Sequence, residues 1–326
     1  MNTKAIVSLF LVFAWLAPLA AQYDSETADK DRMAKAKVKT QTQWTHEYVD
    51  GKPSAKGYKS SVTKYNARGN ITEVTNFNKE GKIISLVVYQ YDNRENRVNY
   101  EQYQGNREKQ QFIQKTVYDA RGNKTREYGY DGVSAFSNTF KYDGDGKLAE
   151  INYTVDNVSQ EKRVFKHSGN KTEILIYNAA NTLINKQENT YNDKGMLVSE
   201  VKSGGTGNVV HTLGLHYNSA GDLLEEMKTR AGDKLDYQKI YQYDRENRPI
   251  KIETVNIDGE KFVSNEYQFN ERGDLVLESW KKNERAKEPS TKKITYDYST
   301  GVYTEMDYYY STYPLKSLYK YTYEFY

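Results

Sequence analysis

Cysteine is absent from this chain, which removes disulfides, thiol catalysis, cysteine metal sites and lipid attachment at cysteine. Charge of one sign is lacking too. The 47 basic and 44 acidic residues leave a net charge of +3 with no basic stripe, which excludes the usual electrostatic footprint of a nucleic-acid binder. Beyond residue 21 no apolar run is long enough to cross a bilayer as a helix. Ile, Leu, Val and Phe together make up less than a fifth of that part of the chain, a level at which highly charged chains stay disordered. Here the net charge is low, and 31 tyrosines supply apolar area, because a tyrosine buries its ring while its hydroxyl stays wet. Such a composition suits a thin sheet.

Residues 1–21 stand apart. Lys4, the apolar run 5–16 and the small pair Ala20 and Ala21 have the layout of a cleaved secretory signal peptide. The expectation is a secreted, periplasmic or cell-surface protein with no transmembrane span once the signal is removed. Residues 22–37, charged and unpatterned, read as a flexible leader. Residues 38–326 read as a single domain.

What fills that domain is a repeat. An aromatic residue followed by Asp or Asn, two variable residues and Gly recurs as YNARGNI (65–71), YDARGNK (118–124), YNDKGML (191–197), YNSAGDL (217–223) and FNERGDL (269–275). The anchors Tyr65, Tyr91, Tyr118, Tyr142, Phe165, Tyr191, Tyr217, Tyr243, Phe269 and Tyr296 lie 23 to 27 residues apart, a spacing that marks a repeat architecture. Residues before each anchor alternate apolar and polar, as in VVYQYD (87–92), and so line one face of a strand. The Asp or Asn opens a turn by bonding the backbone two residues on. The Gly then supplies the positive φ of a type I turn closed by a bulge. Where Gly is missing, Asn247 and Asn96 are expected to take the left-handed conformation. A second turn lies near the middle of many repeats, for example IDGEK (257–261). Each unit thus holds two antiparallel strands, and ten units give about twenty strands of about nine residues. The predicted fold is all-β: a long antiparallel meander curled into a shell, trough or wide barrel, since twisted open sheets rarely exceed ~10 strands.

The C-terminal residues 301–326 read as capping strands. The stretch SLYKYTYEFY places Tyr319, Tyr321, Tyr323 and Phe325 on one face. The stretch reads as a closing strand that caps the array; the alternative is a ligand platform, for which Tyr319, Tyr321 and Tyr323 are the candidate binding row. The opposite parity, Tyr326, Glu324, Thr322 and Lys320, is polar where a membrane barrel needs an apolar face.

Catalytic and metal motifs are not found. The histidines His46, His167, His211 and His216 show no i, i+4 or i, i+2 pair, and His211 and His216 fall on opposite faces of one strand. Asp143 and Asp145 in YDGDGKL suggest a calcium loop, but Thr154 stands where its bidentate Glu belongs. Glu225 and Glu226 are adjacent on a strand and face opposite ways. No cofactor is implied.

The motifs YDARGNK, YDGDGKL, YNDKGML and YNSAGDL, each following an alternating aromatic strand, resemble the repeats of the YD-repeat (Rhs-repeat) family of exported and cell-surface proteins, over about residues 58–300. The resemblance implies an antiparallel sheet spiralling into a hollow shell. This chain lacks the Asp-Pro-rich autoproteolytic core and appended toxin of the large members, and is similar to short, free-standing exported ones. The expected function is that of a non-catalytic scaffold or binding module presenting a Tyr-rich surface to a glycan or an envelope protein. The alternative is a self-assembling coat component that pairs through its sheet edges. Behind it stands an enzyme of unrecognised type whose residues a shell interior would gather.

Overall fold

In the computed structural model, residues 25–312 and 315–326 are described; the signal segment 1–21 lies outside them. Strand follows strand, each antiparallel to the next. Of 23 strands, the two-residue Lys52–Pro53 pairs only with the end of the first, and the other 22 form the wall. The first strand, Val38–Val49, has two long neighbours. Its Gln41 faces Thr63 of Tyr58–Tyr65 on one side and Tyr323 of the last strand, Leu315–Phe325, on the other. The meander therefore closes as a wide 22-strand barrel. At ~4.8 Å per strand its wall is about 105 Å around.

The motif turns close alike. In the turn after Tyr65, the Asn66 N–H donates to the Asn70 carbonyl and the Gly69 N–H to the Asn66 carbonyl. The Asn66 Oδ1 accepts the N–H groups of Arg68 and Asn70. Asp119 and Asp244 repeat the pattern. The residue four places after the anchor bends left-handed: Gly69 has φ 79° and Asn247, as expected, 58°. In the turn after Tyr91 that residue is Glu95, at φ 67°, and not Asn96. Position outweighs residue preference, because the turn's bonds fix which residue must bend. Asn96 instead donates its N–H and its side-chain amide to Asp92.

The anchor's hydroxyl has its own task. Between Leu223–Arg230 and Lys234–Tyr243 the last backbone pair toward the motif turn is Glu225↔Ile240, so Leu223 lies beyond the ladder. The Tyr243 hydroxyl donates to the Leu223 carbonyl at 2.8 Å. Tyr217 serves Leu197, Tyr91 serves Ile71, Tyr142 serves Lys124 and Tyr296 serves Leu275 in the same way, at 2.8 to 3.0 Å. Where the anchor is Phe165, His167 takes over, with Nε2 2.8 Å from the Leu148 carbonyl. Where the ladder runs on, with the Tyr191 N–H bonded to Asn170, the Tyr191 hydroxyl is released to accept from Asn189. Tyrosine in the motif fastens one hairpin to the next.

The leader differs from expectation. Ser25–Lys35 form a helix, α1, because its residues find partners on the barrel. Met33 is 1% exposed and clusters with Val38, Tyr65, Tyr296, Val302 and Tyr303. Lys30 pairs with Glu95 at 2.7 Å, and Arg32 reaches Asp274 at 3.0 Å and the Gly301 carbonyl at 2.7 Å. The turns holding Glu95 and Asp274 are eight strand spacings apart across the seam, about 38 Å along the wall. Two side chains so close on one helix meet both only across the concave side. The helix thus sits inside the mouth at the motif rim. It packs on the anchor face, so the anchors point into the barrel, and the register carries that sidedness around the ring.

Candidate functional site on the inner wall

The two faces of the wall differ. Outside, cross-strand ion pairs recur: Lys64 with Glu73 at 2.8 Å, Lys141 with Glu150 at 2.7 Å, and Lys320 with Glu305 at 3.0 Å. Glu173 holds both Lys186 and Lys166, and the bond from Lys186 keeps its carboxyl below the usual range. Charges on a lipid-facing barrel surface cost ~2–4 kcal/mol each at the bilayer midplane. The outer face carries these charges in pairs.

Inside, aromatic rings and polar groups share the surface. Tyr89 meets Tyr100 edge-on at 5.3 Å, Tyr100 meets Phe112 at 5.7 Å, and Phe112 stacks on Phe136 at 5.6 Å. The strip crosses the strand Lys124–Tyr130 at Gly129, which stands opposite Phe136. A Cβ there would lie 1.7 Å from the Ile113 carbonyl oxygen; the bare backbone lets the flanking rings close over it. All four rings are half-buried. Beside them the Tyr100 hydroxyl points to Gln102, Gln114 donates to Glu127, and the Arg97 guanidinium lies 5.6 Å from the Tyr100 ring centre. The strip offers apolar ring area with amide and charged hydrogen-bonding groups at its edge, the chemistry that takes an amphipathic ligand such as a sugar.

Further round, polar side chains bond one another. Gln187 donates to Asn189 and to Glu200, both at 2.8 Å, and His211 lies 3.5 Å from Glu200. Burial pushes the His211 pKa down, against the opposing pull of Glu200. Glu226 accepts the hydroxyls of Tyr237 and Tyr241. Below this network Leu197, Leu215 and Leu223 pack with Tyr241 and Ile252. At the mouth, α1 and the wall enclose a cavity of about 240 Å³, lined by Asp29, Arg32, Tyr267, Glu278, Lys292 and Met306, among others. Burial raises the Asp29 pKa, while Arg32 and Lys292 oppose the rise.

The sequence-derived binding row lies elsewhere. Tyr319, Tyr321 and Tyr323 share one face, as read, and it is the inner one, next to the seam. The Tyr323 hydroxyl donates to the Tyr303 carbonyl at 2.6 Å and accepts from Gln41 at 3.0 Å. Tyr321 meets the Tyr303 ring at 4.8 Å, and Tyr319 meets Tyr308 at 5.6 Å. Tyr321 and Tyr323 pack against the cluster that contains Met33 of α1, so this row holds the closure together. The strip of Tyr89, Tyr100, Phe112 and Phe136 had no sequence signal, because its rings come from strands whose register only the fold supplies.

The other candidates take structural partners. His46 bonds the Ser54 carbonyl, and His216, on the outer face, bonds Glu225. The Asp143 carboxylate accepts the N–H groups of Asp145 and Lys147, closing its own turn. Glu225 and Glu226 face opposite ways, as read. Among the described residues no group of three or more His, Asp or Glu has a metal-holding arrangement, and no helix is long and apolar enough to cross a membrane.

No family model matches the chain, and neither does any curated protein. Among solved structures the chain is similar to a porin-like protein from Bacteroides uniformis, with 10% identity, a TM-score of 0.29, and 89% of this chain and 97% of that one covered. It is also similar to a porin-like protein from Bacteroides vulgatus, with 11% identity, a TM-score of 0.23, and 88% and 98% covered. Likeness at this level bears on neither ligand nor membrane; the barrel rests on its own strand pairing.

Proposed function

We propose that this protein is an exported, non-catalytic binding barrel of the cell envelope or the extracellular space, which takes a glycan on the aromatic strip of its inner wall. The carrying observation is the strip itself: four half-buried rings in contact on a concave surface, edged by amide and charged side chains. Export is supported by the signal-like layout of residues 1–21. Kinship with the short YD-repeat proteins is supported by the motif turns and by a sheet coiled into a hollow shell. The coat reading needs free strand edges, and pairing of the first strand with the last uses them up.

The test is binding of the purified chain from residue 22 onward to a glycan array and to isolated cell-wall fractions. Saturable binding is expected, and Tyr100→Ala with Phe112→Ala should abolish it while the β-sheet spectrum is retained. Binding unchanged by that pair, or no binding to any glycan, overturns the reading.

A further inference from the structure

The cavity of about 240 Å³ between α1 and the wall brings charge and aromatic surface together. Strand register stacks Tyr267, Glu278 and Lys292 in one row across Lys261–Phe269, Leu275–Trp280 and Ser290–Tyr296. The rings of Tyr267, Tyr296 and Tyr303 and the apolar side chains of Leu275, Ile294 and Met306 line the space. Four charged groups join them, Asp29 and Arg32 from α1 and Glu278 and Lys292 from the wall. Both cations are engaged. Arg32 Nη1 donates to Asp274 at 3.0 Å and to the Gly301 carbonyl at 2.7 Å, and its guanidinium lies 4.7 Å from the centre of the Tyr296 ring. Lys292 Nζ lies 3.4 Å from Glu278. Asp29 is served less well. Among the described residues its nearest cation is Arg32 Nε at 4.0 Å, and its carboxylate accepts no hydrogen bond. Burial raises its pKa, yet 49% of its side-chain surface stays accessible, because it opens on the cavity. With Asp274 included, three carboxylates stand against two cations, and one negative charge is left over.

We infer that this cavity binds a small organic amine, with its ammonium on the Asp29 carboxylate and its apolar body among the rings of Tyr267, Tyr296 and Tyr303. An ammonium supplies the charge that the lining lacks, and it is attracted by tyrosine rings as well as by a carboxylate. A carboxylate or phosphate ligand would have to part Arg32 from Asp274 or Lys292 from Glu278, and would then face Asp29. Volume sets the size of the ligand. A cavity of roughly 150 Å³ holds one benzene, so this one has room for about nine or ten non-hydrogen atoms. The site is separate from the glycan strip, whose rings come from strands between residues 83 and 142. Asp29 belongs to α1 and the rings belong to the wall, so a bound amine bridges the two. By mass action it fastens the helix in the mouth.

The test uses the chain from residue 22, which contains every described element. It is titrated by calorimetry with phenylethylamine, and with phenylethanol and phenylpropionate, which keep the ring and replace the ammonium by a hydroxyl or a carboxylate. Saturable binding of the amine is expected, with the alcohol and the acid weaker by about tenfold or more, the effect of losing a charge-assisted contact. Proteolysis within residues 25–37 should slow about tenfold at an amine concentration ten times its Kd. Asp29→Asn keeps the shape and removes the charge; it should weaken the amine by about tenfold or more and abolish the amine's effect on cleavage. Ile294→Trp, which fills the space from the wall side, should weaken the amine with the sheet spectrum retained. Tyr100→Ala with Phe112→Ala should leave amine binding unchanged. Equal binding of amine and alcohol, amine binding untouched by Asp29→Asn, or no saturable binding overturns the proposal. Tighter binding of the acid also overturns it, and assigns the cavity to an anion.

Discussion

The hydroxyl of Tyr243 donates to the carbonyl of Leu223 at 2.8 Å, across the gap where the ladder between two hairpins has already ended. Loss of one such bond costs about 0.5–1.5 kcal/mol. Tyr243→Phe and Tyr217→Phe should each lower stability by that much in urea unfolding. Tyr191→Phe should cost less, because its hydroxyl fastens no carbonyl and only accepts from Asn189 at 3.3 Å. Equal losses for all three would separate the motif tyrosine from the fastening role.

The same tyrosines set the alkaline limit. Burial pushes the Tyr243 phenol up to about 12, with the Asp222 charge adding to the rise. The folded pKa therefore exceeds the unfolded value, so this contribution is intact below the ordinary pKa of about 10 and is lost as pH rises toward the folded value. The step in phenolate absorbance that Tyr243→Phe removes should coincide with sheet loss in that window. That step appearing at pH about 10 with the sheet intact would contradict it.

Helix α1 is held close to the motif rim at Gly69, where a Cβ would lie 2.1 Å from the Lys30 carbonyl oxygen. Gly81, on the other rim, has nearly the same φ of 80° and nothing within 4 Å. Ala at either site meets the left-handed cost of ~1–2 kcal/mol. Only Gly69→Ala should release α1, seen as rapid proteolysis within residues 25–37 around an intact barrel. Equal protection in both variants would place the helix elsewhere.

Docking of α1 should also depend on pH in two opposed ways. The raised pKa of Asp29 means that its contribution is fully present below the ordinary Asp value and fades as pH rises through the raised one. The bond from Lys30 holds Glu95 below the usual range, so its contribution is present above the ordinary Glu value and is lost as pH falls through the lowered one. Asp29→Asn should protect α1 better than wild type at neutral pH and no better below pH ~4. A variant cleaved as fast as wild type at neutral pH would contradict this.

Hairpins, turns and strand faces were legible in the sequence because they are local: two-residue alternation fixes Tyr241 beside Tyr243, and Asp244 opens its turn over four residues. Closure was not legible, since it joins Gln41 to Tyr323, and no local pattern fixes a register across that separation. The leader hid its helix because Met33 is the apolar side chain that docks it, while Lys30 and Arg32 look like solvated charge until their partners arrive. Glu95 broke the residue-preference reading because the turn geometry dictates position. The inner strip was invisible for the same reason as closure: Tyr89, Tyr100, Phe112 and Phe136 become neighbours only after the strands have paired.

Closure of the wall places the motif tyrosines inside, and the chain's lack of cysteine makes it directly testable. Thr42 and Thr322 face each other across the seam on the outer side, and opposed Cβ atoms in such a pair stand about 4.5–5.5 Å apart, near disulfide range. In the variant Thr42→Cys, Thr322→Cys, mild oxidation should form an intramolecular disulfide in nearly every molecule. Two thiols that stay free to a maleimide, in a chain with its sheet spectrum intact, would mean an open sheet and would contradict the barrel.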